Sequence, residues 1–195
     1  MPELIKSVRY GILIGLFGLS IGMSWAIWLV VGHEIIHKSF EKSMVQGKME
    51  TGQSHEETAA AVEEESHQHE HTPEVSQSHA EGLHNDPIIE LAHTRLRWAH
   101  VHYMGLGLLT IGLSLVLALS RASTGVKTII PILTGLGGLI YPFAWIVMGF
   151  RTPSMGAEAS ETSAMAIAAP GIALVFIGIL TTASVLLKDI FFKRR

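Results

Sequence analysis

Residues 98–120 read WAHVHYMGLGLLTIGLSLVLALS, and this stretch decides the fold. It holds no Lys, Arg, Asp or Glu, and it is longer than the about 20 residues that carry a helix across the hydrocarbon core of a bilayer. Residues 10–32, 128–150 and 164–187 share both properties. The chain as a whole, 195 residues, is 48% hydrophobic with a mean hydropathy of +0.37, which is too apolar for an ordinary water-soluble domain. The expectation is an all-α, integral membrane four-helix bundle.

The first span follows Lys6 and Arg9, as the apolar core of a secretory signal does. Its run is longer than the roughly 7–15 residues of such a core, and His33-Glu34 stands where a small-x-small cleavage site belongs. It is therefore expected to be a retained helix.

Topology is read from Lys and Arg near the span ends. Lys6, Arg9, Arg121, Lys127, Lys188, Lys193, Arg194 and Arg195 collect on one side; Arg95, Arg97 and Arg151 lie close to the membrane on the other. The first set predicts cytoplasmic residues 1–9, a turn at 121–127 and a tail at 188–195, with both termini inside. Residues 33–97 and 151–163 then become external loops, periplasmic in a bacterial inner membrane. Trp28, Trp98 and Trp145 fall near that outer boundary, as an interfacial aromatic belt does.

The chain has no cysteine, which excludes disulfides, Cys-ligated zinc, iron–sulfur clusters and thiol catalysis. Any metal must be held by His, Met, carboxylate or backbone. The net charge of −3 comes without a basic surface for nucleic acid.

The loop between the first two spans is compositionally divided. Residues 50–86 are rich in Glu, Ser, Gln and His and poor in aromatic and β-branched residues, so they cannot bury enough apolar surface to fold alone and are expected to be disordered. His55, His67, His69, His71, His79 and His84 lie there; such tracts bind metal loosely or serve as a solvated spacer. The loop ends look ordered. Ile35, Ile36, Phe40 and Met44 continue a helix outward from the membrane. Asp86-Pro87 is a start signal, Asp as N-cap and Pro at the first helical position, for a helix running to Ser120.

Ionisable groups are rare at membrane depth and usually mark a site there, and imidazole is the commonest protein metal ligand. Gly11, Gly15, Gly18, Gly22 and Ala26 form one stripe on the first helix, and at 100° per residue His33 and His37 continue it within about 60°. Small residues in this spacing allow close helix approach. On the second helix His93, His100 and Met104 share a face, while His102 points roughly the opposite way. His33, His37, His93 and His100 are thus expected to converge, with Met104 one turn deeper. The alternative is that interfacial histidines simply hydrogen-bond to backbone or water.

Several motifs overlap here. His33-Glu34-Ile35-Ile36-His37 matches the H-E-x-x-H of zinc proteases, without a third ligand motif downstream. Glu34-x-x-His37 and Glu90-x-x-His93 match half of a carboxylate-bridged di-iron site, which Glu158 and Glu161 would have to complete from the 151–163 loop beside Met155. Two histidines from neighbouring helices also suit haem b, with Gly22, Ala26, Gly105 and Gly107 leaving room for the porphyrin. A His100/Met104 pair suits copper, since thioether favours Cu(I). In the third span Pro131, Gly135, Gly137, Gly138 and Pro142 imply a kink and close packing.

Trp98-Ala99-His100-Val101-His102-Tyr103-Met104-Gly105 resembles the A-H-x-H helix of small four-helix bacterial inner-membrane proteins labelled cytochrome c oxidase-like or haem-copper oxidase-like. Residues 16–23, LFGLSIGM, are similar to their first helix. Gly105-Leu106 replaces the usual Gly-Trp, and the His-rich loop is an insertion. The resemblance implies His100 and His102 as signature histidines and a respiratory or haem-related role, without oxidase activity.

Together these readings predict a protein that binds haem or a transition metal (Cu, Zn or Fe) and associates with respiratory or metal-handling machinery, rather than a free-standing enzyme. His33, His100 and His102 are the candidate cofactor ligands; His33, His37, His93, His100 and Met104 are the candidate metal ligands. One alternative is a transport or delivery protein whose loop captures Cu, Zn or Ni. Another is a cofactor-free accessory subunit that docks through the glycine stripe.

Overall fold

The computed structural model describes residues 6–56 and 86–191. All regular structure in them is helical: α1 (Arg9–Val31), α2 (His33–Glu56), α3 (Pro87–Leu119), α4 (Thr124–Met155) and α5 (Ala157–Phe191). Four of these, α1, α3, α4 and α5, are long and apolar enough to cross a membrane.

The packing is the inverse of a water-soluble core. On α1 the buried residues are Gly11, Gly15, Gly18 and Gly22, while Leu13, Phe17, Met23 and Ile27 are exposed. On α5, Gly171, Val175, Gly178 and Thr182 are buried, and Phe176, Ile177 and Leu180 are exposed. Small residues inside and large apolar residues outside is the arrangement of helices solvated by lipid, where association rests on close contact rather than on burial of apolar surface. Hydroxyls buried between helices bond to their own helix: Ser114 Oγ donates to Thr110 O (2.6 Å), Thr134 Oγ1 to Ile130 O (2.9 Å) and Thr182 Oγ1 to Gly178 O (2.8 Å). Among the described residues no buried side-chain polar atom lacks a partner, as a medium without water requires.

α4 is the hub. α1 lies in the groove between α3 and α4, and α5 packs chiefly on α4. The clustered glycines divide these contacts. A Cβ on Gly137 would lie 2.5 Å from Gly171 O of α5; one on Gly138 would lie 3.2 Å from Leu106 Cβ of α3; one on Gly135 would reach Ile14 of α1. Pro131, Pro142 and Pro153 sit inside α4, which remains one helix.

The start of α3 follows its sequence signal: Ile88 N–H donates to Asp86 Oδ1 (2.9 Å), with Pro87 in the first turn. Gly32 separates α1 from α2, and its N–H closes on Trp28 O at 2.7 Å. α2 continues to Glu56, so the first residues of the stretch expected to be disordered are helical. Its remainder, 57–85 with most of its histidines, lies outside the described residues, as do Lys193, Arg194 and Arg195.

The expected external loop 151–163 is not a loop. α4 runs to Met155, α5 begins at Ala157, and Gly156 alone makes the turn at φ 80° and ψ 179°. That backbone region is open essentially only to glycine. Arg151, Pro153 and the Ser/Glu-rich composition suggest a loop, but each residue fits a helix end and one glycine suffices to reverse the chain.

A candidate metal centre at one end of the bundle

Past Gly32, α2 is held down by a conventional apolar core. Ile36, Phe40, Ile89, Ala92 and Leu96 are at most 2% exposed, and Trp25, Leu29, Met44, Ile146 and Phe150 close around them. Each fully buried aliphatic or aromatic side chain of this kind contributes on the order of 1.5–3 kcal/mol. With Ile36 and Phe40 turned inward, the helical period brings His33 and His37 to the adjoining face, opposite His93 of α3.

The three imidazoles meet there. His37 Nε2 lies 3.2 Å from His33 Nε2 and 3.2 Å from His93 Nε2. One ligand nitrogen from each lies within 4.8 Å of the others. Ligands about 2.0–2.1 Å from a tetrahedral ion sit roughly 3.3 Å apart, so the two contacts match the edges of such a site. Phe40 stands edge-on to the His93 ring at a centroid distance of 5.2 Å. His33 is exposed and His37 and His93 are half-buried, so one side of the triad stays open. It opens into a groove of about 530 Å³ that also touches Glu90, Arg97 and His100.

His100 does not join the triad. It lies two turns deeper on α3, where its Nδ1–H donates to Gly22 O at 2.8 Å, since a carbonyl can only accept. Met104 follows one turn farther in, against Gly22, with its sulfur 3.2 Å from where a Cβ on that residue would be. His102 faces another way, as its position on the helix predicts. Its Nδ1–H donates to Trp98 O (2.7 Å), and its ring stacks on Trp145 and meets Tyr141 edge-on. The set His33, His100 and His102 therefore does not surround one point.

No carboxylate belongs to the described cluster. Glu90 is exposed at the groove, and Glu34 is exposed. Glu161 is committed to Arg95. The histidine that stands nearest His33 and His37 is His93, from a different helix and outside the H-E-x-x-H motif. The glycines considered as room for a porphyrin are filled by helix contact: Gly22 by Tyr103 and Met104, and Gly107 by Gly15 O and Leu19 of α1. Gly105 faces open space outside the bundle.

By sequence Arg95 is only a charge near the end of a span; in the structure it is buried at 3% exposure. Its Nη1 donates to Thr152 Oγ1 (2.7 Å) and Ser160 Oγ (2.6 Å), its Nη2 to Ala157 O (3.3 Å), and it pairs with Glu161. It thereby ties α3, and His93 with it, to the α4–α5 turn. The signal was present: Arg95 stands three residues after Ala92 and four before Ala99, on the buried face of α3.

No known family's sequence pattern matches this chain, and no curated protein or solved structure matches it either.

Proposed function

We propose that this is a multi-pass membrane protein that binds a divalent transition-metal ion, Zn(II) or Cu(II), through His33, His37 and His93, and that it serves metal handling at the outer face of its membrane. The observation that carries this reading is the approach of three imidazole nitrogens from two separate helices to within 4.8 Å. Three neutral imidazoles with an open fourth position suit Zn(II) and Cu(II) better than Ca(II) or Mg(II), which prefer oxygen. The open side gives the ion a way in from the groove and leaves room for exchange onto another ligand. The reading takes the triad end as external and both termini as cytoplasmic, from the Lys and Arg distribution.

Haem is the weaker reading, because the helix–helix contacts at Gly22 and Gly107 fill the space it needs. The H-E-x-x-H protease reading gains a third ligand in His93, but Glu34 is not among the residues facing the groove.

Co(II) tests the proposal. The full-length protein in detergent should show the visible bands of four-coordinate Co(II), and His37→Ala or His93→Ala should abolish them. Affinity should fall by more than the roughly 10–100-fold lost with a partner that only orients a ligand. Unchanged Co(II) spectra in both variants, as loop histidines alone would produce, would exclude the triad.

A further inference from the structure

The open side of the triad looks into a groove whose charges are set out along one helix. Glu90, His93, Arg97 and His100 follow one another at helical spacing on the face of α3 that lines it. Residues four apart on a helix have Cβ atoms about 5–6 Å apart, so Arg97 stands beside His93, on the side toward His100. The Arg97 side chain is exposed. Among the described residues its one hydrogen bond is a long contact to Thr94 Oγ1, 3.4 Å, and no carboxylate pairs with it.

A guanidinium in that place works against a bound cation. Three neutral imidazoles leave a divalent ion its full charge, and a second positive charge one helical turn away repels it. An anion between the two removes the conflict, because both attract it. Glu90 does not supply that anion. Its carboxylate lies outside the cluster of ligand atoms, and it stands on the opposite side of His93 from Arg97. The described residues bring no other carboxylate to the groove.

We propose that the open position on the triad-bound ion takes the carboxylate of a small organic acid, held between the ion and Arg97. The protein then handles its metal as a carboxylate complex. This rests on the metal-binding reading of the triad. One carboxylate oxygen meets the ion, and the other accepts from the guanidinium, whose planar fork matches a carboxylate. The groove, about 530 Å³, is of the size that takes a small organic ligand rather than a bare ion. Leu29, Val30 and Ile89 in its lining suit a short carbon chain.

The test uses the full-length protein in detergent, loaded with Co(II) in a carboxylate-free buffer, with acetate as the probe. Acetate should shift the visible bands of the bound Co(II), and the shift should saturate. Arg97→Gln should move two affinities in opposite directions. Bare Co(II) should bind at least as tightly, since a repelling charge is gone. Acetate should bind at least about tenfold more weakly, the loss expected for a hydrogen bond to a charged group. Bands unmoved by acetate, acetate binding unchanged in Arg97→Gln, or loss of both affinities together would overturn the proposal. Bands moved by inorganic phosphate and not by acetate would overturn the carboxylate. Disappearance of the Co(II) bands in Glu90→Gln would also overturn it, by placing a carboxylate of the chain itself in the open position. Failure of the triad reading appears separately, as absence of four-coordinate Co(II) bands before acetate is added.

Discussion

The buried guanidinium of Arg95 has four partners, Thr152, Ser160, Ala157 O and Glu161, and removing it differs in cost from removing its counter-ion. Thr152 and Ser160 keep their own carbonyl acceptors, Met148 O and Gly156 O, both at 2.6 Å, whether or not the guanidinium is present. Glu161 is 58% exposed and would be hydrated without it. Arg95→Met should therefore be tolerated. Glu161→Gln should cost more, roughly 1–3 kcal/mol, because it leaves a buried cation with neutral acceptors only. Thermal unfolding of both variants in detergent checks the order, and a larger loss in Arg95→Met would contradict it. At the triad, protons and the ion compete for the same ring nitrogens, so metal affinity should fall as the pH is lowered. A Zn(II) titration at several pH values, repeated in His37→Ala, measures that competition.

At the scale of elements, glycine sets the packing, and position decides which glycines matter. Gly137→Leu should disrupt the α4–α5 contact, since even a Cβ would lie 2.5 Å from Gly171 O. Gly105→Ala and Gly112→Ala, with nothing within 4 Å, should leave the melting temperature nearly unchanged. Gly156→Ala should cost on the order of 1–3 kcal/mol from backbone strain alone, measurable in the same melts. The glycine stripe of α1 is taken up by α3 and α4: Gly15 meets Gly107 O and Ile111, and Gly18 meets Leu139. A docking role for that stripe toward another protein would require α1 to leave its own bundle.

For the molecule as a whole, the four long apolar helices place the triad at one end of the bundle and Arg9, Arg121, Lys127 and Lys188 at the other. With no native cysteine, single introduced thiols can report this directly. Ser154→Cys at the triad end should react with a membrane-impermeant maleimide in intact cells, and Ser123→Cys at the other end should not. The reverse pattern would invert the assigned topology. The triad also joins α2 to α3, so an ion bound there should hold the outer end together. Saturation at 100 times the dissociation constant should stabilise the native state by about 2.7 kcal/mol. A zinc-dependent rise in melting temperature that is absent in His93→Ala is the expected signature.

Sequence alone determined the helices, because lipid imposes length and apolarity on each span separately. Residues 10–32, 98–120, 128–150 and 164–187 each meet that demand without reference to the others. The Asp86-Pro87 start and the inward stripe on α1 were equally legible, being local periodicity and capping. Tertiary structure decided the rest. That His93 meets His33 and His37 while His100 turns to Gly22 depends on how far α2 slides along α3. The slide is set by the burial of Ile36 and Phe40 against Ile89, Ala92 and Leu96, a contact between segments separated by some fifty residues. The conversion of Arg95 from surface charge to buried tie likewise required Thr152, Ser160 and Glu161 to be gathered by a single-glycine turn. Composition cannot announce such a turn, because the same residues serve equally well in a loop.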